Sequence, residues 1–455
     1  MTFEDLNLNT ALKNALRDMQ LTTPTTIQRK IFSVIMSGRD TIGIAQTGTG
    51  KTYAYLLPCL RNWKFNKALT PQIMIMVPTR ELVFQVVEET KKLTKYMEVS
   101  IVGAYGGTNI KTQMNALHQG ADLVIGTPGR LMDLILDGIL KTKLIKTLII
   151  DEVDEMLNLG FRTQLKNLMV LLPEKRQNLM FSATLDDEIQ KLINLFFKRP
   201  EHIEAAPAGS PLENIDQILY YVPNFNTKIN FLKELLADKS LMHKVLVFVS
   251  SKKLADDLFE KIHKFFPEKM GIIHSNKSQN FRFDVVKKFQ SGTYRILVAT
   301  DLISRGLDIS EVSHVINFDL PEIQENYIHR IGRTGRAEKK GIAISLFSPY
   351  EVRKKLAIEK LMDFEIPTKT LPKLVKLSTV LTLDELPKSS QPNLELKKPL
   401  STPSGQAYHE KKSKNQKINI KVKYVDKMKR KYKNRKTRGD KNNVIISRKK
   451  GRHKN

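Results

Sequence analysis

The chain has 455 residues, of which 41% are hydrophobic and 27% are charged, and its formal net charge is +28. This length allows two or three domains with cores of their own. No apolar run of roughly 18 residues occurs, so the sequence predicts no membrane span, and its first residues do not resemble a secretion leader. The positive charge predicts a polyanionic partner, either nucleic acid or an acidic membrane surface.

The single cysteine, Cys59, excludes an internal disulfide bond and has no companion cysteine for a metal site. A lone cysteine in an apolar stretch is typical of a small core residue in a reducing compartment. We therefore predict a cytoplasmic protein with Cys59 buried.

The order of apolar and polar residues predicts strands that alternate with helical stretches, twice over. Six strands are predicted in the first half, at residues 42–45, 73–77, 100–104, 123–126, 148–150 and 179–182. A proline-containing break follows at residues 205–211. Five strands are predicted after it, at residues 245–249, 271–273, 296–299, 314–317 and 342–347. This alternation indicates an α/β fold with parallel sheets covered on both faces.

Two domains, a linker and a tail follow from this order. We assign residues 1–205 to the first domain, 206–215 to the linker, 216–370 to the second domain, and 371–455 to a linker and a disordered basic tail. Residues 411–455 contain 20 lysines and arginines against two acids, so they carry +18 of the +28. A segment with so few apolar residues cannot bury enough surface to offset the conformational entropy that it would lose on folding. We predict that this tail binds nucleic acid; the alternative is a charge run that only keeps the chain soluble.

A glycine-rich stretch, Ala45-Gln46-Thr47-Gly48-Thr49-Gly50-Lys51-Thr52, joins the first predicted strand to a helical segment. Gly48 and Gly50 can adopt positive φ at low cost, so that successive backbone N–H groups can surround an anion. Lys51 provides a charge for the β and γ phosphates of a nucleoside triphosphate, and Thr52 provides a hydroxyl for Mg²⁺. We predict a phosphate-binding loop, the alternative being a chance glycine- and threonine-rich turn.

Three acids, Asp151, Glu152 and Asp154, follow the fifth predicted strand. Ligand sites of parallel α/β sheets lie at the C-terminal ends of the strands. We therefore predict that Asp151 holds Mg²⁺, mainly through its waters, and that Glu152 deprotonates an attacking water. A solvated acidic turn is the alternative. The next strand ends in Ser182-Ala183-Thr184, whose hydroxyls we expect to bond Asp154.

A basic segment at residues 329–336 reads His-Arg-Ile-Gly-Arg-Thr-Gly-Arg. Arg333 and Arg336 are three residues apart, which is about one helical turn. The second half of the sequence has no phosphate-binding loop of its own, so we expect it to complete the nucleotide site across a cleft. The two arginines would then neutralise charge in the transition state. A surface basic turn is the alternative.

These motifs, in this order, resemble those of the DEAD-box RNA helicases, from Met1 to Pro367. The first half also matches at Pro24-Thr25-Thr26-Ile27-Gln28, Pro78-Thr79-Arg80-Glu81-Leu82, Gly106-Gly107 and Thr127-Pro128-Gly129-Arg130. The second half matches at residues 247–249, Gln279 with Arg282, 299–301, 305–308 and 329–336. The resemblance implies two tandem RecA-like domains with parallel sheets, which bind ATP, Mg²⁺ and RNA in a monomeric enzyme.

The resemblance also implies a role for each matching position. Gln28 would recognise adenine, Phe3 would stack on it, and Asp308 would contact the ribose. His329 would lie near the hydrolytic water, and Arg333 and Arg336 would act as arginine fingers. A further set of residues would contact RNA, largely at phosphates and 2′-hydroxyls: Thr79, Arg80, Gly107, Thr127, Arg130, Arg282 and Thr300.

One position departs from the family, because the third residue of its name-giving motif is Val153 rather than alanine. The three acids remain, and valine suits the buried end of a strand, so we predict an active enzyme. Among bacterial members, the compact core and short basic tail are most similar to the RhlE-type group. That resemblance suggests ribosomal precursors or the RNA-turnover machinery as partners.

The predicted function is therefore that of an ATP-dependent RNA helicase, which bends one strand, opens short duplexes locally and releases RNA after hydrolysis. An RNA-binding clamp or annealing chaperone without productive turnover is the alternative from another class, and a DNA helicase is a third. RNA-stimulated ATP hydrolysis separates the first two. A comparison of RNA with DNA as stimulators separates the third.

Overall fold

The structure is a computed structural model that describes residues 1–45, 48–67, 70–205, 214–301, 309, 312–335, 340–382 and 385. The predicted basic tail at residues 411–455 lies outside this part of the chain. None of the helices within these ranges is long and apolar enough to cross a membrane.

The first domain is built on a parallel sheet of seven strands in the order β3-β4-β2-β5-β6-β1-β7. The strands are β1 (Thr41–Ile44), β2 (Ile73–Met76), β3 (Ile101–Ala104), β4 (Leu123–Gly126), β5 (Thr147–Ile150), β6 (Gln177–Ser182) and β7 (Glu201–Glu204). Because every pair is parallel, the C-terminal ends of all strands share one edge. The order places the ends of β5, β6 and β1 side by side at that edge.

Helices cover both faces of this sheet. They are α1 (Thr10–Asp18), α2 (Thr26–Met36), α3 (Lys51–Asn62), α4 (Arg80–Leu93), α5 (Ile110–Gln119), α6 (Pro128–Leu136), α7 (Val153–Asn158), α8 (Arg162–Leu171) and α9 (Asp187–Phe196). The apolar run of β2 shows why both faces are needed. Ile73 and Ile75 join the core under α2, α3 and α4, whereas Met74 and Met76 join the core under α6, α8 and α9. Successive side chains of a strand point to opposite faces, so an unbroken apolar run requires cover on both.

The second domain repeats this design with a parallel sheet in the order β10-β11-β9-β12-β13-β8-β14. Its strands are β8 (Ile215–Tyr221), β9 (Val245–Val249), β10 (Met270–Ile273), β11 (Ile296–Thr300), β12 (His314–Asn317), β13 (Gly341–Phe347) and β14 (Thr368–Lys369). The helices described for it are α10 (Phe225–Ala237), α11 (Lys252–His263), α12 (Gln279–Gln290), α13 (Glu325–Ile331) and α14 (Val352–Met362). The prediction of two α/β domains with parallel sheets is confirmed.

The chain remains attached to the second domain beyond residue 370, the predicted end of that domain. Val375 is buried in the core that also contains β9 and α10. Side-chain amides of α10 and of the residue before it donate to main-chain carbonyls of this segment: Asn224 to Ser378 (2.5 Å), Asn226 to Val380 (2.8 Å) and Asn230 to Lys376 (2.8 Å). The domain therefore includes residues that composition alone assigns to a linker.

Each predicted strand is present, with ends that differ from the predicted ones by at most two residues. Three further strands, β7, β8 and β14, are not among the predicted ones. Strand β7 is Glu-His-Ile-Glu at the edge of the sheet, and its glutamates are only partly covered or exposed, so it lacks an apolar run. Strand β8 begins at Ile215, the last residue of the predicted linker.

Candidate active site

The phosphate-binding loop (residues 45–52) connects the C-terminal end of β1 to the start of α3. Ala45 N donates to Ser182 O at the end of β6, at 3.0 Å. Gly48 and Gly50 have φ of 88° and 87°, a conformation that residues with a side chain rarely adopt. Gly50 caps α3, whose first N–H groups lack partners within the helix and can bind an anion. Gln46 and Thr47 lie outside the described residues.

Gln28 ties helix α2 to this loop. Its Oε1 accepts from Thr25 N at 2.9 Å, and its Nε2 donates to Gly50 O at 3.0 Å. A Cβ at Gly50 would lie 2.5 Å from that Nε2, so only glycine allows the contact. Phe3, the predicted stacking partner of adenine, is buried in a short 3-10 helix and lines a cavity of about 350 Å³ with Thr22.

Lys51 is the first residue of α3, and its side chain is 7% exposed. Its Nζ has no hydrogen-bond partner within the described part of the chain. Burial raises the pKa of Asp151 and of Glu152 above their usual values, and the charge of Lys51 only partly offsets this. A buried cation without a partner is costly, so this arrangement favours an anionic ligand that contacts Lys51.

Asp151 and Glu152 directly follow the central strand β5, at the C-terminal ends of the strands. Asp151 Oδ2 accepts from Tyr55 Oη at 3.0 Å, and its Oδ1 accepts from Glu152 N at 2.9 Å. The backbone of Glu152 is left-handed, with φ 51° and ψ 51°. A non-glycine residue in this region costs roughly 1–3 kcal/mol and marks a position that the surroundings hold in place. Tyr55, which is fully buried on the helix that follows the loop, is not among the predicted site residues. Its contact with Asp151 makes it part of the site.

Asp154 connects α7 with the end of β6. Its Oδ2 accepts from Ala183 N at 3.1 Å and from Thr184 Oγ1 at 3.5 Å. The Ser182 hydroxyl, which we expect to bond Asp154, instead accepts from Thr184 N at 3.4 Å. Val153 is fully buried as the first residue of α7, whereas the prediction places it at the end of a strand.

Two residues of the second domain face these acids. His329 Nε2 lies 3.3 Å from Glu155 Oε1 and 3.8 Å from Asp154 Oδ2. Arg333 is 5% exposed, and its positive charge lowers the pKa of Glu152 against the larger effect of burial. Helix α13 ends at Ile331, so Arg333 lies in the turn after it, not on a helix as its spacing suggests. Glu155 is a further residue that sequence reasoning does not single out.

Arg330, between these two residues in sequence, points into its own domain instead. Its Nε and Nη2 donate to both carboxylate oxygens of Asp301, at 2.5 and 2.8 Å, and its Nη1 donates to Asp319 O at 2.7 Å. Arg330 is fully buried, and this two-point contact fixes α13 to the end of β11. The position of His329 and Arg333 therefore depends on a structural ion pair.

The RNA-contacting positions predicted in the first domain lie together after β2, β3 and β4. Thr79 caps α4 through its hydroxyl, and Thr127 precedes α6. A Cβ at Gly107 would lie 2.5 Å from Arg80 Nη1, and Gly107 has φ of 80°. Arg130 donates to Gln113 Oε1 at 2.8 Å. All five of these predicted residues are exposed or half-buried, so a strand of RNA can reach them.

The two positions predicted to contact RNA in the second domain are less accessible. Thr300 is 6% exposed at the end of β11. Arg282 is 3% exposed and forms an ion pair with Glu81 of α4, with 2.7 Å between Nη1 and Oε1. Gln279 Nε2 donates to the same oxygen of Glu81 at 3.2 Å. In this arrangement Arg282 bridges the two domains, which the sequence motif alone does not indicate.

The residues present fit a hydrated Mg²⁺ ion beside the phosphates. The described residues include no group of three or more His, Cys, Asp or Glu side chains that could hold a metal by themselves. Mg²⁺ in nucleotide sites is typically held by one or two protein oxygens together with phosphates and waters. Asp151 retains acceptor capacity on both oxygens, and Thr52 is half-buried in the loop. The other predicted residues of the nucleotide site, Asp308 and Arg336, lie outside the described residues.

Comparison with known proteins agrees with this geometry. Residues 25–192 match the DEAD/DEAH box helicase family, and residues 227–338 match the helicase conserved C-terminal domain. The chain is 37% identical over 387 residues to the DEAD-box ATP-dependent RNA helicase RhpA of Helicobacter pylori, covering 84% of this chain and 77% of that protein. It is 40% identical over 350 residues to the DEAD-box ATP-dependent RNA helicase CshA of Bacillus cereus, covering 77% and 66%.

Solved structures show the same architecture. S. cerevisiae Dbp5 bound to RNA and ADP BeF3 is 28% identical with a TM-score of 0.74, over 81% of this chain and 96% of that chain. Mss116p bound to ssRNA and AMP-PNP is 28% identical with a TM-score of 0.76, over 82% and 80%. The prediction of tandem RecA-like domains is confirmed, whereas the RhlE-type placement stays a prediction. The two family matches and the extent of the identity show that this chain belongs to the DEAD-box ATP-dependent RNA helicases.

Proposed function

We propose that this chain hydrolyses ATP in the cleft between its two domains and uses the cycle to bind, bend and release RNA. The observation that carries the proposal is the approach of His329 and Arg333 to the acids after β5. The first domain alone holds the phosphate-binding loop and the acids, but these two side chains come from the second. Hydrolysis would thus require the domains to be together.

ATP binding rests on the first domain. We propose that Gln28 recognises adenine, Phe3 stacks on it, and the loop residues Ala45 to Thr52 hold the phosphates. The unpartnered Nζ of Lys51 supports its place beside the β and γ phosphates. Bound Mg²⁺, held by Thr52 and Asp151, would neutralise phosphate charge. Asp308 would contact the ribose from the second domain.

Glu152 is the proposed general base. Its pKa is raised by burial, with Lys51 and Arg333 acting in the opposite direction. A raised pKa brings a carboxylate closer to the operating pH, which strengthens it as a proton acceptor. Glu152 is the N-cap residue of α7, and its left-handed backbone places it just before the helix begins. His329 and the contacts among Asp154, Ser182 and Thr184 would couple this site to the closed arrangement, in which the second domain lies against the acids of the first.

Arg333 and Arg336 are the proposed arginine fingers. A guanidinium near the γ-phosphate stabilises charge that develops on the transferred group, at little cost if it is already in place. The burial of Arg333 in the cleft supports this role. Its position depends on the Arg330–Asp301 pair, so the catalytic arginine would be pre-organised by a buried contact rather than by a flexible loop.

The described arrangement of the domains supports RNA binding in the closed state. TM-scores of 0.74 and 0.76 are found for the two helicases bound to RNA and a nucleotide analogue. We propose that RNA lies along Thr79, Arg80, Gly107, Thr127 and Arg130, with Arg282 and Thr300 lining the path from the second domain.

The setting of the enzyme is a further part of the proposal. We propose that it acts as a cytoplasmic monomer on ribosomal precursors or with the RNA-turnover machinery. The single, buried cysteine supports a reducing compartment. The charge of +18 at residues 411–455 supports additional, sequence-independent contact with phosphates.

The test is steady-state ATP hydrolysis by the full chain without nucleic acid, with single-stranded RNA, and with DNA of the same sequence. We expect RNA to stimulate hydrolysis strongly and DNA much less, because DNA lacks the 2′-hydroxyl. Tight ATP-dependent RNA binding without turnover would instead identify a clamp. Equal stimulation by DNA would contradict an RNA-selective enzyme.

A further inference from the structure

Helices α4 and α12 make a direct contact between the two domains at two phenylalanines. The rings of Phe84 in α4 and Phe283 in α12 have centroids 5.5 Å apart and an interplanar angle of 51°. This tilted geometry is one that aromatic pairs favour. The pair lies next to the cross-domain ion pair of Glu81 with Arg282, since Phe84 is three residues after Glu81 and Phe283 follows Arg282.

Both rings are partly exposed even in this contact, Phe84 by 49% and Phe283 by 36%. They border a cavity of about 380 Å³ whose walls come from α4 and α12. Neither residue belongs to the buried core of its own domain. Separation of the domains would therefore leave both rings in water, with no loss of packing inside either domain.

We propose that Phe84 and Phe283 form an aromatic clasp that stabilises the closed arrangement in which Arg333 faces Glu152. This inference rests on the proposed function for its effect on turnover. For a ligand that binds only the closed state, the apparent Kd equals the Kd of the closed state divided by the fraction of molecules that are closed. A smaller closed fraction therefore weakens the observed binding. The clasp therefore acts on RNA and ATP binding through the closure equilibrium, without contact to either ligand. Phe84 and Phe283 are positioning residues.

The size of the effect follows from the interaction energies of aromatic pairs, which correspond to a factor of roughly 2 to 13 in an equilibrium constant. We expect Phe84→Ala or Phe283→Ala to reduce the closure constant by about this factor. The RNA concentration for half-maximal closure should rise in proportion. Turnover at saturating RNA and ATP should change less than about twofold, because closure is then complete.

The experiment measures closure of the full chain by fluorescence energy transfer. Leu195 and Leu241 are exposed positions on the first and second domains, and Leu195→Cys with Leu241→Cys provides attachment sites for the two dyes. The native Cys59 is buried and burial raises its pKa to about 12, so it should react with the dyes much more slowly than the two introduced cysteines. RNA is titrated at saturating AMP-PNP, and the KM for RNA is measured in parallel by ATP hydrolysis.

The variants are the two single alanine changes, the double change, Phe84→Leu and a control. Phe65→Ala is the matched control, since Phe65 is a 59% exposed phenylalanine of the first domain outside the cores and the α4–α12 contact. We expect the fold-change in the RNA midpoint of the double variant to be smaller than the product of the two single fold-changes. Either single change already removes the contact between the two rings, so the second change cannot remove it again. Phe84→Leu should retain part of the apolar contact and shift the midpoint less than Phe84→Ala.

Unchanged midpoints in both single variants, or a double variant equal to the product of the singles, would overturn the clasp. A shift as large in Phe65→Ala would do the same. Failure of the proposed function is distinct: a wild-type chain without RNA-stimulated hydrolysis contradicts that function, whereas the fluorescence midpoints still measure the clasp.

Discussion

Lys228 and Glu351 form an ion pair inside the second domain, and replacing Lys228 by methionine tests how far this pair supports the fold. Lys228 Nζ lies 2.7 Å from Glu351 Oε2, and the two side chains are 6% and 10% exposed. Glu351 also accepts from Leu320 N at 2.8 Å and Ser348 N at 2.9 Å. The pair thus joins α10 to the loop that leads into α13, the helix that carries His329.

Lys228→Met keeps most of the buried aliphatic chain but leaves the carboxylate without its cation. Removing one partner of a buried ion pair costs about 3–5 kcal/mol, because the remaining charge stays buried. In domains of this size each kcal/mol lowers the melting temperature by about 2–4 °C. The expected decrease in Tm is therefore roughly 6–20 °C at neutral pH.

The effect should depend on pH. In the wild type, burial acts to raise the pKa of Glu351, but the Lys228 charge and the hydrogen bonds to the carboxylate outweigh it and leave the pKa below the usual value of 4.5. The pair therefore stabilises the fold above about pH 4.5, and this stabilisation is lost as the pH falls through the lowered folded-state pKa. Without Lys228, burial should raise the pKa of Glu351, and protonation should then relieve the cost. The Tm difference between variant and wild type should narrow toward about pH 5.

The assay is thermal unfolding of the full chain at about pH 7.5 and about pH 5, followed by circular dichroism. Lys228→Met/Glu351→Gln should recover much of the stability, because the amide oxygen still accepts from Leu320 N and no buried charge remains. Lys288→Met is the matched control, since Lys288 and Asp284 form an ion pair with exposed fractions of 42% and 53%. A Tm for Lys228→Met within about 2 °C of wild type, or a deficit that grows on acidification, would refute the reasoning.

Two further predictions concern catalysis and the tail. Arg333→Ala should lower RNA-stimulated hydrolysis roughly 10³-fold. ATP affinity should change little, because the phosphate-binding loop and Gln28 lie in the first domain. A large loss of ATP affinity with intact turnover at saturating ATP would instead make Arg333 a binding residue. In a chain that ends near Glu410, the logarithm of the RNA association constant should fall less steeply with the logarithm of the salt concentration. The slope should be smaller by about 3.5 if the tail contacts about five phosphates. Its turnover at saturating RNA should be unchanged, and equal slopes for the two chains would argue against a tether.

The sequence predicts most of the fold because the central strands are continuous apolar runs. Strand β9, Val-Leu-Val-Phe-Val, has all five residues buried and is predicted with its observed ends. Strand β7 is missed because its edge position leaves it polar, and β8 because it alternates buried and exposed residues directly after the linker. The attachment of residues 371–382 is also missed, since this segment forms neither helix nor strand and is held by asparagine side chains that donate to its main-chain carbonyls.

The candidate site is predictable in its residues but not in their pairings. The motifs locate Lys51, Asp151 and Glu152 because each follows a strand at the same edge of the sheet. The left-handed backbone of Glu152 has no sequence signal, since glutamate normally avoids that conformation. The contacts of Arg282 with Glu81 and of His329 with Glu155 depend on how two domains meet, which local patterns do not encode.

The most direct test of the central claim is the ATP turnover of Glu152→Gln at saturating RNA. Glutamine keeps the size of the side chain but removes the proton acceptor, so we expect turnover to fall at least about 10²-fold while ATP and RNA still bind. The variant should also hold the closed RNA complex longer than the wild type. Steady-state hydrolysis close to that of the wild type would contradict the assignment of Glu152 as the base.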